Sequence, residues 1–176
     1  MLTLPFYPMR PTTGPKLTPA NILGTVNSYR HQGYELQRKL NGDRAILERT
    51  VAGVRLWNRY GGNYAFTVNL RPYRDLASGT MLDGEVYRGE FRAFEQLSEN
   101  SDTIERIRDC ELLCRFIGVP YLFGQVTDDW LMGEVTLPAS RTRQWEGVVC
   151  KLASAKYVPL KTETQDSPTW TKLKWC

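Results

Sequence analysis

The chain has 176 residues, 41% of them hydrophobic, with a formal net charge of +4, a composition that suits one compact domain spanning residues 1–176. No apolar run approaches the length that crosses a bilayer, and Met1-Leu2-Thr3-Leu4-Pro5-Phe6 lacks the basic flank and long apolar stretch of a secretory signal, so a soluble, cytoplasmic protein is expected. Cysteines at 110, 114, 150 and 176 form no CxxC pair and His31 is the single histidine, which argues against a zinc cluster and for reduced, structural thiols.

The segment to Pro15 is rich in proline and threonine without periodicity and reads as an extended strap. A helix is expected from Thr18-Pro19, capped by Thr18, with apolar positions Ile22, Leu23, Val26 and Tyr29 and a stop at Gly33. Short segments rich in aromatic and β-branched residues follow at 34–40, 43–51, 54–60 and 63–68, separated by Gly42, Gly53 and Gly61-Gly62, and predict an antiparallel meander. Arg88-Gly89-Glu90 is the expected turn of a hairpin between 81–87 and 91–97. Ser101 then caps a second helix carrying Ile104, Ile107, Leu112, Leu113 and Phe116, ended by Gly118 and Pro120. Cys110 and Cys114 share one face of it at i,i+4, a spacing that core packing explains. Strands at 121–126, 146–153 and 170–175 complete an α+β chain dominated by antiparallel sheet, with a polar loop from Thr162 to Pro168.

Basic residues crowd the first half of the chain, including Arg10, Arg38, Lys39, Arg44, Arg59, Arg71 and Arg74, which makes phosphate a plausible target. Within them lies Lys39-Leu40-Asn41-Gly42-Asp43-Arg44. A lysine at its reference pKa of about 10.4 is protonated at neutral pH and cannot attack phosphorus, so a nucleophilic role requires nearby cations and partial desolvation. The Gly42 turn places the lysine at a sheet edge, where a phosphate can come close to the backbone. Near the C-terminus, strand periodicity points Lys172 and Lys174 the same way, so both can converge on one anion while Leu173 faces the core. Taken alone, each of these is a solvated surface lysine.

Four further patterns follow the Lys39 motif in order: Arg59-Tyr60-Gly61, Leu82-Asp83-Gly84-Glu85, Glu146-Gly147-Val148-Val149-Cys150-Lys151 and Trp170-Thr171-Lys172-Leu173-Lys174. This ordered series resembles that of the lysine-dependent nucleotidyltransferases: ATP-dependent DNA ligases, RNA ligases and mRNA capping enzymes. The resemblance implies mainly antiparallel sheets with a few flanking helices, an ATP-grasp-like ligase core without an OB-fold domain. It implies that Lys39 attacks the α-phosphate of ATP, releases pyrophosphate and retains AMP. By position, Arg44 and Arg59 lie beside the nucleotide, Glu85 serves ribose and metal, and Glu146 is a second metal-binding carboxylate. Lys151, Lys172 and Lys174 match phosphate-binding lysines, and Val149 contacts the adenine. Phe94 is the expected stacking partner on the other face of the base, with Phe91, Phe116 and Phe123 as alternatives. Magnesium suits the triphosphate and the oxygen ligands.

Two positions depart from the pattern. Asn41 stands where most relatives carry aspartate and some RNA-joining members carry asparagine. Gln37 stands where DNA ligases commonly carry a glutamate that accepts a hydrogen bond from the adenine amino group; its amide can accept there or turn its amino end outward. The resemblance reaches from Tyr7-Pro8-Met9 to Lys174 and stops where relatives continue into an OB-fold domain, so self-adenylation is expected to depend on a missing or separate partner domain. The closest likeness is to the adenylation domain of an ATP-dependent DNA ligase acting on nicked or broken nucleic acid, DNA favoured. An RNA ligase, a capping guanylyltransferase and a non-catalytic relative that binds nucleotide or nucleic acid are the alternatives.

Overall fold

The computed structural model describes residues 7–122, 124–138, 143–160, 162 and 165–176. Two four-stranded sheets face one another. The first has strand order β1-β8-β7-β2 and comprises β1 (Pro11–Thr13), β2 (Tyr34–Leu40), β7 (Trp145–Leu152) and β8 (Ser167–Lys174). The second has order β4-β3-β5-β6 and comprises β3 (Asp43–Thr50), β4 (Gly53–Asn58), β5 (Met81–Tyr87) and β6 (Glu90–Gln96). All pairings are antiparallel except β1 with β8, so the strap closes the first sheet as a short parallel edge.

Strand alternation divides each sheet into two faces. On the first, Val148, Cys150 and Leu173 turn outward onto α1 (Ile22–His31) and α3 (Asp128–Val135), in a core with Ile22, Val26 and Leu131. On the second, Ala45, Leu47, Leu82 and Phe91 pack with Cys110 and Cys114 of α2 (Thr103–Ile117) and with Tyr73 of a short 3-10 helix, Arg71–Asp75. The inner faces meet through Met9, Leu40, Ile46, Met81, Phe94, Leu122, Tyr157 and Trp170. No described helix is long and apolar enough to cross a membrane.

Several expectations are refined by this arrangement. Asn41-Gly42 does not close a hairpin: β2 pairs with β7, so the turn carries the chain from one sheet to the other and leaves β2 as an edge strand. A Cβ on Gly42 would lie 2.6 Å from the Val86 carbonyl oxygen, which is why the crossing needs glycine. Within the expected strands at 63–68 and 121–126, the described residues make isolated bridges, Trp57 with Asn63 and Ala93 with Tyr121. Residues 128–135, assigned to no element from the sequence, form α3, capped by the Thr127 hydroxyl accepting from the Trp130 N–H. Asp102, not Ser101, caps α2, reciprocating with Glu105 in a capping box, while Gly118 ends it in the left-handed region at φ 69°. The buried face of α2 is Thr103, Arg106, Cys110 and Cys114; Ile104, Leu112 and Phe116 are exposed. The hairpin at Arg88-Gly89 turns as expected, with both residues at positive φ.

Candidate active site

A cavity of about 230 Å³ opens between the inner faces, and residues of all five sequence patterns line it: Lys39, Arg44, Arg59, Glu85, Glu146, Val149, Lys151, Lys172 and Lys174. Gln37, Phe94 and Trp170 line it as well. Strand periodicity explains much of the convergence: Gln37 and Lys39 share a face of β2, Val149 and Lys151 of β7, and Trp170, Lys172 and Lys174 of β8, while Cys150 and Leu173 between them turn into the outer core. Eight basic side chains and two carboxylates line the cavity, an excess suited to a polyanionic ligand.

Lys39 sits at the end of β2 with its side chain 14% exposed and its ammonium paired with Glu146. Lys174 Nζ reaches the other oxygen of Glu146 at 2.7 Å, so one carboxylate ties together two lysines from different strands. Burial works to raise the Glu146 pKa, but Lys39 and Lys174 outweigh it and hold the group below its ordinary value. The immediate partner of the candidate nucleophile is therefore a carboxylate. The expected cationic neighbours are arranged differently: Arg38 donates to the Gln125 carbonyl at 2.8 Å and lies 4.6 Å from the Trp130 ring centre. Lys172 has a lowered pKa, from partial burial with Lys174, Lys39 and Arg10 nearby.

Arg44 is fixed from below. Its Nε donates to Asp83 Oδ1 at 2.7 Å, a second bond runs to Oδ2, and the guanidinium lies 5.2 Å from both the Phe94 and Trp170 ring centres. Burial opposes its charge, yet Asp83 lifts its pKa above the ordinary value. Asp83 thus serves to hold Arg44 in place. Gly84 next to it admits the Arg92 carbonyl oxygen, which a Cβ would meet at 2.5 Å.

Glu85 is buried, and its Oε2 has no hydrogen-bond partner. Burial pushes its pKa up to about 7, against the pull of Lys39 and Arg44 and with help from Glu146 and Asp83. An orphaned carboxylate oxygen beside a second carboxylate is an environment that a hard divalent cation would satisfy. Among the described residues no group of three His, Cys, Asp or Glu side chains forms a metal cluster.

Lys151 lies at the cavity floor rather than free within it. Its Nζ is 2.5 Å from Glu95 Oε1 and 4.0 and 4.2 Å from the Trp170 and Phe94 ring centres. Burial lowers its pKa to about 8 in spite of Glu95. Glu95 also receives Arg106 Nε at 3.2 Å, and Arg106 donates to Ser101, Thr103 and Ala155, so this buried charge network is satisfied. Asp83, Glu95 and Trp170 are the supporting residues that sequence reading missed. Alternation with Lys172 and Lys174 was the available signal for Trp170; none marked Glu95.

Gln37 Nε2 donates to the Phe94 carbonyl at 3.2 Å. Because a carbonyl can only accept, this contact leaves the Gln37 amide oxygen as an acceptor toward the cavity. Asn41 Nδ2 donates to the Arg143 carbonyl at 3.1 Å, and its backbone N–H donates to the Gln144 carbonyl at 2.9 Å. An aspartate at 41 could not make the first bond, which gives the asparagine a local role. Of the aromatic candidates, Phe94 lines the cavity, Phe91 belongs to the outer core, Phe116 is 88% exposed on α2, and Phe123 lies outside the described residues.

The site is thus built on facing antiparallel sheets, with a lysine near the end of an edge strand opposite paired lysines and two carboxylates. Among solved structures, the chain shares this fold with a mycobacterial DNA ligase D complexed with ATP and MES, at 20% identity and TM-score 0.65 over 96% of this chain and 60% of that one. It is likewise similar to a Lig E DNA ligase (16% identity, TM-score 0.57, 94% and 69% covered). A Naegleria gruberi RNA ligase is similar at 13% identity and TM-score 0.51, with 98% and 61% covered. The chain spans less than two thirds of the DNA ligase D chain. No family model matches the sequence, and no curated protein matches it.

Proposed function

We propose that the chain is the adenylation domain of an ATP-dependent polynucleotide ligase, with Lys39 as nucleophile. The observation that carries this reading is the convergence of five separate sequence patterns on one cavity around the Lys39 ammonium. In the first step the Lys39 amine, having given up a proton, forms an N–P bond to the α-phosphorus of ATP while the bond to pyrophosphate breaks. In the second, a nucleic-acid 5′-phosphate takes AMP from Lys39. A 3′-hydroxyl then displaces AMP and closes the strand.

Each lining residue has a task in this scheme. Lys172 and Lys174 meet the phosphates, Arg59 the ribose, and Val149 and Phe94 sandwich the base, whose amino group donates to Gln37 Oε1. Arg44, braced by Asp83, sets a fixed positive charge beside the nucleotide. Lys151, neutralised by Glu95, supports the floor under Phe94 and Trp170. Glu85 and Glu146 are the residues that would hold magnesium, which when bound neutralises triphosphate charge. Glu146 leaving Lys39 frees the amine for proton loss, so its present ion pair is the resting arrangement.

DNA is the favoured substrate, in keeping with the likeness of the Arg59 and Lys172 motifs to DNA ligases; Asn41 favours RNA as the second reading. The test is transfer from protein carrying labelled AMP to nicked DNA duplex and to the matching RNA nick. Label appearing on the 5′-phosphate of either substrate supports ligase chemistry, and the faster substrate assigns the class. A labelled protein that never discharges to any 5′-phosphate end contradicts it.

A further inference from the structure

Outside the cavity, two adjoining shallow clefts of about 740 and 620 Å³ run along the β4 edge of the second sheet. They share Val54, Thr67, Val68 and Leu70, and their linings contain four arginines (Arg49, Arg55, Arg71 and Arg74) and no acidic residue. In a chain whose whole excess is +4, that is a strong local concentration. Arg71 and Arg74 are exposed on the 3-10 helix, and neither has an ion-pair partner among the described residues. Arg49 is structural in part, since its Nε donates to the Arg74 carbonyl at 2.9 Å and so pins that helix to β3.

Beside these charges stands an aromatic ring with no burial to explain it. Phe66 is 72% exposed and rests edge-on against Tyr64, with ring centres 5.8 Å apart. Tyr64 is anchored: its backbone N–H donates to the Leu56 carbonyl at 2.9 Å and its hydroxyl to Asp43 at 3.3 Å. The same loop begins at Arg59, which lines the nucleotide cavity. Arg59 at the cavity and the exposed, rigidly backed ring therefore belong to one loop, and the ring lines a cleft that adjoins the one holding Arg71 and Arg74.

The geometry points to this surface as a track for a nucleic-acid strand, with backbone phosphates on Arg71 and Arg74 and an unpaired base stacked on Phe66. Alternating cations and aromatic faces is what single-strand recognition requires, because guanidiniums take the phosphates and any base presents a π-face. The inference rests on the ligase reading only for why a strand should run there.

The test is fluorescence anisotropy of a labelled single-stranded oligonucleotide at several salt concentrations, on wild type, Arg71→Ala/Arg74→Ala, Arg71→Lys/Arg74→Lys and Phe66→Ala. The double alanine variant should bind roughly tenfold more weakly at low salt and lose about 1.4 from the slope of log affinity against log salt, two phosphates at about 0.7 each. The lysine pair should keep the slope. Phe66→Ala should lose about tenfold with the slope unchanged, the signature of a lost stack. Unchanged affinity and slope in the alanine variants overturn the proposal. So does an equal loss for heparin with Phe66→Ala silent, which would mark a generic polyanion face. AMP adduct formation at Lys39, measured on the same proteins, separates the two readings: adducts with unaltered oligonucleotide binding sink the track alone, whereas altered binding with no adduct even in wild type sinks the ligase reading alone.

Discussion

Replacing Glu85 with glutamine removes the most poorly satisfied charge near the cavity, and its effect on stability has a definite pH dependence. The folded-state pKa of about 7 stands against an ordinary 4.5. For a carboxyl group raised in this way, the native state binds more protons than the unfolded state between those two values, so stability falls as pH rises from about 4.5 to about 7 and is level on either side. At about 1.4 kcal/mol for each pKa step, the difference between 7 and 4.5 amounts to roughly 3 kcal/mol. Glu85→Gln cannot ionise, so its stability minus that of wild type should grow by about that amount between about pH 4 and about pH 8; packing differences between the two side chains cancel in that change. Urea unfolding at a series of pH values measures it. A stability difference that stays constant across the range refutes the assignment of a buried, unpaired carboxyl to this position.

Three further outcomes follow from the geometry. A Cβ at residue 147 would sit 1.8 Å from the Leu173 carbonyl oxygen at a backbone φ of +151°, so Gly147→Ala should cost roughly 3 kcal/mol or more, read as a lower urea midpoint. Glu95→Ala leaves Lys151 and Arg106 buried without their shared carboxylate and should destabilise by about 3–5 kcal/mol, an effect that Glu95→Gln should only partly relieve. On the proposed reading, Gln37→Ala removes the base-facing acceptor and should weaken ATP use about tenfold relative to GTP, measured as the ratio of adduct formation rates.

The site was legible in the sequence to the extent that periodicity and spacing carry it. Lys172 and Lys174 share a face because strands alternate, and Leu173 fills the outer core for the same reason. Glycines at 42, 84 and 147 mark close backbone approaches that sequence shows only as turns or motif letters. Pairing was less legible: Asn41-Gly42 looks like any tight turn, and only the competition of β7 for β2 makes it a crossing between sheets. The partners of charged residues were hidden as well. Glu95 lies 56 positions from Lys151, on a strand of the other sheet, and the two meet only in the folded chain. On α2 apolar residues misled, since the helix buries Arg106 and two cysteines while Phe116 faces solvent.

The proposed chemistry begins with a covalent bond between Lys39 and AMP. Intact mass of the protein after incubation with ATP, magnesium and pyrophosphatase, followed by peptide mapping, measures it directly. Wild-type protein should gain an increment of one AMP confined to the peptide containing Lys39, absent with Lys39→Ala and strongly reduced with GTP. Protein that binds ATP reversibly and carries no increment, or an adduct that survives Lys39→Ala, contradicts it.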